Sequence, residues 1–78
     1  MISTRDKDYE RAKQLIPGLD IETTACTYKY WWGKCMLPDT EEMHRLAPTI
    51  AKILEREYDY RVSYTPGSLR IGLKYRID

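Results

Sequence analysis

The sequence predicts a single α+β domain in which one long helix packs on a small antiparallel sheet. Three observations support this. Apolar residues recur at helical spacing through residues 39–58. Residues 21–32 are rich in Thr, Tyr and Trp, which favour strands. Thr65-Pro66-Gly67-Ser68 is a tight-turn signal between two alternating segments. A chain of 78 residues has no room for a second core, so we expect one domain spanning residues 1–78.

A short charged helix is predicted at the start of the chain. Ser3 or Thr4 can cap it, and Pro17-Gly18 ends it. Its apolar stripe consists of Tyr9, Ala12, Leu15 and Ile16. Because the helix is short and polar, it must be stabilised by docking on the rest of the domain.

The aromatic segment 21–32 is predicted to be one strand that ends at Gly33-Lys34. Alternation places Cys26, Tyr28, Tyr30 and Trp32 on one face, and Thr27, Lys29 and Trp31 on the other. The two tryptophans therefore point to opposite faces. We expect Trp31 to be the exposed one because it shares its face with Lys29. The alternative is that the first helix or Cys35–Leu37 covers it.

The long helix has a predicted start and an internal proline. Asp39 followed by Glu42 has the spacing of a capping box. Pro48 predicts a kink near residues 45–47, or two abutting helices. The apolar repeat continues through the proline in the same phase, which favours a single kinked helix.

The end of the chain is predicted to form a hairpin with Pro66-Gly67 as its two-residue loop. This register gives the apolar pairs Tyr64–Leu69, Val62–Ile71, Tyr60–Leu73 and Tyr58–Tyr75. On the other face it pairs Ser63–Arg70, Arg61–Gly72 and Asp59–Lys74. A bulge or a longer loop is the alternative, because a type II turn matches hairpin twist poorly.

The predicted order is thus helix-strand-helix-strand-strand. The sheet has three strands, or four if Cys35–Leu37 returns as a short strand, and the long helix covers one of its faces. The other face is expected to be largely open to solvent.

Residues that could carry catalysis or bind a metal are scarce. His44 is the only histidine, and its neighbours Glu41 and Arg45 indicate a solvent-facing helix position. Cys26, Cys35 and His44 are too widely spaced for a familiar zinc site and lack a fourth ligand. We therefore predict no catalytic residue, no metal site and no cofactor.

A binding surface is predicted from exposed aromatic and basic residues. Its candidate residues are Tyr28, Lys29, Trp31, Lys34, Arg61 and Arg70. Trp, Tyr and Arg dominate protein-binding hot spots, and they also stack on bases and contact phosphates. The net charge of +1 favours a protein partner, because nucleic-acid-binding domains are usually clearly basic.

Localisation is predicted from the absence of targeting and membrane-spanning segments in the sequence. No apolar run reaches the length of about 20 residues that a membrane span needs. The charged start of the chain is unlike a signal peptide. We therefore expect a cytoplasmic protein with Cys26 and Cys35 reduced and with no membrane partner.

In its size and its motif-free, single-domain style, the chain resembles anti-CRISPR proteins, small inhibitors encoded by phages and mobile elements. The resemblance covers size and style, and no residue role is carried over from it. It implies a non-catalytic inhibitor that occludes a surface of a host nucleoprotein complex such as a CRISPR effector. The alternatives are direct RNA or DNA binding through a basic and aromatic sheet face, a homodimer joined through the aromatic strand and, last, an enzyme.

Overall fold

The structure is a computed structural model that describes residues 4–77. In chain order the elements are α1 (Thr4–Leu15), a 3-10 turn (Ile16–Gly18), β1 (Ile21–Cys26), β2 (Tyr30–Met36), α2 (Glu41–Glu57), β3 (Arg61–Tyr64) and β4 (Arg70–Arg76). The predicted α+β fold is confirmed, and the sheet has four strands, the larger of the two predicted numbers. Cys35 and Met36 belong to β2 and do not form a separate return strand. The predicted cap at Ser3 lies outside the described residues.

All neighbouring strands of the sheet are antiparallel, in the order β1-β2-β4-β3. α2 connects β2 to β3, and β4 then returns between these two strands. β2 and β4 are therefore the central strands, and β1 and β3 are the edges. This arrangement places the last strand of the chain in the middle of the sheet.

The aromatic segment is two strands joined by a tight turn, so the predicted single strand over residues 21–32 is wrong. Thr27 makes the turn: its hydroxyl accepts hydrogen bonds from the N–H groups of Lys29 and Tyr30, at 3.3 and 3.0 Å. Such local hydroxyl bonds favour turns over strands. Gly33 was expected to break the strand but lies inside β2.

The β3–β4 register differs from the predicted one by two residues. Tyr64 pairs with Ile71 and Val62 with Leu73. The predicted turn is present, since the Ser68 N–H donates to the Thr65 carbonyl at 3.0 Å. Gly67 in this turn has a φ of 84°, the positive value that a type II turn requires.

The chain does not enter β4 directly after this turn. The Leu69 carbonyl instead accepts a hydrogen bond from the N–H of Leu37, at 2.9 Å. The loop is therefore longer than two residues, which was the alternative left open. A shift of two residues leaves every side chain on its predicted face, because the side-chain period of a strand is two.

The N-cap of α2 is Thr40 rather than the predicted Asp39. The Thr40 hydroxyl accepts a hydrogen bond from the Met43 N–H at 3.1 Å, which satisfies one unpaired donor of the first turn. Asp39 instead bonds the ring of His44 at 2.8 Å. The helix is continuous through Pro48, so the alternative of two helices is excluded. Within residues 4–77, no helix is both long and apolar enough to cross a membrane.

The core lies between α2 and one face of the sheet. Its buried side chains are Ala12, Ile16, Cys35, Leu37, Met43, Leu46, Ala47, Ile50, Ala51, Ile53, Leu54, Ile71 and Leu73. Seven of these residues belong to α2, which is thus the main source of buried apolar surface. Burial also raises the pKa of the Cys35 thiol.

Ion pairs and hydrogen bonds link α1 to α2 on both sides of their contact. Arg11 pairs with Glu42 at 3.2 Å, near the start of α2. On the other flank, Glu57 accepts hydrogen bonds from Tyr9 and, at 3.1 Å, Lys13. These bonds hold the pKa of Glu57 below its ordinary value. The acids and bases of the helix layer thus largely neutralise each other.

We expect Thr40→Ala to lower the free energy of unfolding by about 1 kcal/mol, because it removes the cap of the main core helix. Urea unfolding followed by circular dichroism measures the change. Asp39→Ala is the matched control and should have a smaller effect, since it removes only an exposed contact with His44. A larger loss for Asp39→Ala than for Thr40→Ala would contradict the assignment of the cap.

Candidate functional site

The sheet has one face that no helix covers, which we call the open face. Its side chains come from alternate positions of the four strands. They are Glu22, Ala25, Tyr30, Trp32, Lys34, Met36, Arg61, Ser63, Arg70, Gly72, Lys74 and Arg76. The central strands supply the aromatic residues and most of the cations.

Positive charge is concentrated in the segments that form the sheet. Residues 21–36 and 61–76 contain six of the thirteen basic residues and one of the twelve acids. The net charge is therefore +5 in these segments and −4 in the rest of the chain. Among the described residues, the only carboxylate on the open face is Glu22, which pairs with Lys34 at 3.6 Å. The overall charge of +1 thus conceals a basic face.

Lys74 lies at the centre of the open face, against two aromatic rings. Its Nζ is 4.5 Å from the ring centroid of Tyr30 and 5.6 Å from that of Trp32. The two rings are 5.8 Å apart and tilted by 44°. The predicted pairing of Lys74 with Asp59 is wrong, because Lys74 lies opposite Arg61. Like charges on facing positions repel, so this pair raises the local positive potential at some cost in stability.

A shallow groove of about 330 Å³ crosses the open face beside these rings. Side chains of Trp32, Arg61 and Lys74 form its walls. Gly72 lies on its floor, where a Cβ would be 3.3 Å from that of Ser63. The missing side chain at Gly72 thus leaves a depression between an aromatic ring and two cations.

Trp31 is on the helix side of the sheet, which corrects the expectation that it is the exposed tryptophan. Its ring packs against the core and lies over Gly33, where an added Cβ would be 2.2 Å from the ring. The indole N–H donates to the Thr23 hydroxyl at 3.0 Å. Cys35 is fully buried, and alternation from Cys35 through Gly33 places Trp31 on the same side. Trp32 is therefore the tryptophan of the open face.

A second aromatic group lies on the helix side, at the end of the sheet. Ring centroids of Trp31, Tyr60 and Tyr75 are between 5.1 and 5.8 Å apart. Tyr75 and the nearby Tyr58 are 38% and 46% exposed. Ile77, which follows β4, is 48% exposed. Large apolar groups thus remain accessible at this end.

The six predicted site residues fall into three groups. Lys34, Arg61 and Arg70 are on the open face. Alternation along the hairpin indicated this for Arg61 and Arg70, whereas Lys34 was expected to end its strand. Tyr28, which is 84% exposed, and Lys29 form the turn between β1 and β2. The Lys29 carbonyl accepts from the Ile77 N–H at 2.8 Å, so the turn is tied to the chain end. Trp31 belongs to the opposite face.

Four aromatic or basic residues of the open face were absent from the predicted set: Tyr30, Trp32, Lys74 and Arg76. The signal for the two cations was present, because Arg70, Lys74 and Arg76 recur with a period of two and without an acid. The signal for the two aromatic residues was the apolar character of Cys35 and Leu37. If these two side chains are buried, alternation along β2 places Trp32 and Tyr30 on the opposite face.

The two cysteines considered for metal binding differ in their burial. Cys26 is exposed and Cys35 is buried, and both are free thiols. Among residues 4–77, no group of three or more His, Cys, Asp and Glu side chains is arranged to hold a metal ion.

Comparison with known proteins identifies no relative: no family model, curated protein or solved structure matches this chain. The open face must therefore be interpreted from its own chemistry.

We expect Gly33→Ala to lower the free energy of unfolding by about 1–3 kcal/mol. A Cβ would be 2.6 Å or less from two atoms of the Trp31 ring and 2.8 Å from the Glu22 carbonyl oxygen. Tryptophan fluorescence should report the displaced ring. Gly18→Ala is the control, because a Cβ there meets no atom within 4 Å. An unchanged stability for Gly33→Ala would contradict the position of Trp31.

Proposed function

We propose that this protein binds nucleic acid through the open face. The observation that carries the proposal is the concentration of cations around two aromatic rings on the uncovered side of the sheet. Lys34, Arg61, Arg70, Lys74 and Arg76 can contact phosphates. Tyr30 and Trp32 can contact bases.

The pairing of charges supports this assignment. In the helix layer, Arg11, Lys13 and Arg45 form ion pairs with carboxylates of α1 and α2. On the open face, Arg61 and Arg70 form no ion pair with any described residue. Unpaired cations on one surface are the electrostatic footprint of a polyanion site.

The near-neutral total charge was the reason to expect a protein partner. That reason weakens, because the acids and bases of the two helices balance and the excess of acid lies in the connecting segments and at Asp78. A nucleic acid on the open face would meet five cations there and, among the described residues, one carboxylate, that of Glu22. Non-catalytic binding, the anti-CRISPR-like inhibitor role and the homodimer stay predictions.

The proposal includes a cytoplasmic location, where nucleic acid is accessible. The two free cysteines are compatible with such a reducing compartment.

We expect Arg61→Glu to weaken nucleic-acid binding by about tenfold or more, because one charge-assisted contact is lost and a repulsive one replaces it. The slope of log affinity against log salt should decrease by about 0.7–0.9, which corresponds to one phosphate. Fluorescence anisotropy with labelled oligonucleotides at several salt concentrations measures both quantities.

The control is Lys52→Glu, which makes the same change in net charge at an exposed position of α2. It should leave affinity within about twofold, since residues on the helix side are screened from the bound strand. Arg61→Glu should not destabilise the fold, because it places opposite charges at positions 61 and 74. Equal losses for both variants would show that net charge, and not the open face, controls binding.

A protein partner at the exposed aromatic end is the second candidate function. Tyr58, Tyr75 and Ile77 supply the accessible apolar surface that such a partner would cover. A pull-down of the tagged protein, with and without nuclease, separates the two functions. A stoichiometric partner that survives nuclease and is lost in Tyr75→Ser would favour this second candidate. Recovery that nuclease abolishes would favour nucleic-acid binding.

A further inference from the structure

We infer that the nucleic acid bound by the open face is a single strand, with its bases on β2 and its phosphates along β4. This inference rests on the proposed function and adds the class of nucleic acid. It follows from the order of side chains on the two central strands, from the rings they present and from the shape of the sheet.

On the open face, the two central strands carry different kinds of side chain. On the open face β2 presents Tyr30, Trp32 and Met36, and β4 presents Arg76, Lys74 and Arg70 at the directly paired positions. Each of these three rows therefore joins one apolar or aromatic side chain to one cation. The remaining row, between Trp32 and Met36, pairs Lys34 with Gly72, so β2 also carries one cation, which forms an ion pair with Glu22. The two strands are about 4.8 Å apart. A nucleic-acid strand has the same two-sided construction, because its bases all project from one side of a charged backbone.

The spacing along β2 requires bases that are spread apart. Side chains on one face of a strand repeat every ~6.8 Å, whereas bases stacked in a B-form strand repeat every ~3.4 Å. Successive bases on Tyr30 and Trp32 must therefore be unstacked from one another. Only a strand without a paired partner offers base faces in this way at small cost.

The rings are accessible for such stacking. Trp32 and Tyr30 are each partly exposed and belong to no buried cluster, unlike Trp31. The groove beside Trp32, with Gly72 on its floor, leaves room for a group that follows the stacked base. Lys74 Nζ lies over the ring of Tyr30 and near that of Trp32. A base that stacks on this side of Tyr30 must displace the ammonium group, which can then contact a neighbouring phosphate.

An intact duplex fits this surface poorly. The major groove of B-DNA is about 12 Å wide and admits a helix or a two-stranded ribbon. Four strands span about 14 Å between the outer strand axes, before side chains are counted. A duplex on the open face would contact the cations by its phosphates and leave Tyr30 and Trp32 without bases to stack on.

The test compares a single-stranded oligonucleotide with the duplex of the same length and sequence, in DNA and in RNA, by fluorescence anisotropy. We expect at least one of the two single strands to bind at least tenfold tighter than its duplex. Trp32→Ala should weaken single-strand binding by about 5- to 150-fold, the range for loss of one base–aromatic stack. It should leave duplex affinity and the salt slope unchanged, because it removes no charge.

Two matched variants make the result specific. Trp32→Phe keeps a ring and should recover most of the affinity. Tyr28→Ala removes an aromatic residue that is more exposed but lies in the turn, and single-strand affinity should change less than twofold. Thermal unfolding of each variant shows that the sheet is retained.

The outcomes separate this inference from the proposed function. Equal affinity for single strand and duplex, with no effect of Trp32→Ala but a loss in Arg61→Glu, would overturn the single-strand inference and leave nucleic-acid binding standing. No binding of any oligonucleotide at low salt would overturn both.

Discussion

The structure depends on the packing of α2 against one side of a four-stranded sheet. Seven side chains of α2 are buried there, and the loss of their contact would leave no layer able to hold the sheet. A chain of this length has apolar residues enough for one such layer. The other side of the sheet is therefore left to water, and polar or aromatic side chains occupy it. The open face is thus a direct result of the size of the domain.

The central position of β4 connects this core to the candidate site. Ile71 and Leu73 enter the core between α2 and the sheet, and Arg70, Lys74 and Arg76 alternate with them on the open face. The same backbone hydrogen bonds that fix the core register therefore also fix the cations beside the β2 rings. No loop is needed to position the site, since backbone hydrogen bonds between the strands hold its residues in place.

Much of the fold could be predicted from the sequence, because strong local patterns specify it. The helical repeat through Pro48 and the turn at Thr65–Ser68 are both present in the structure. The errors concern the turn at residues 27–29 and the register of β3 and β4, where local sequence patterns do not determine the structure alone. Thr27 forms a turn inside a segment of high strand propensity, and the register of β3 and β4 is set by the distant contact of Leu37 with Leu69.

The candidate site was predicted only in part. Arg61 and Arg70 were assigned to the correct surface because side chains alternate along each strand of the hairpin, whereas Lys34 was expected to lie where its strand ends. Trp31 was not, since its face depends on where β2 starts and on which neighbours are buried. The ring of Trp31 covers Gly33, and nothing local in the sequence shows that a glycine is there to accommodate a ring. The basic character of residues 61–76 is visible in the sequence, but their position beside Lys34 and the two aromatic rings emerges only once the strands are paired.

The alternation along β4 also has an evolutionary consequence. If the open face binds nucleic acid as proposed, selection for binding acts at positions 70, 74 and 76, while positions 71 and 73 are under selection for folding. Lineages that diverge in what they bind could therefore exchange surface residues freely within an unchanged scaffold. Tolerance of substitution would then differ between alternate residues of β4, and a shift of the strand by one residue would disrupt both the core and the open face.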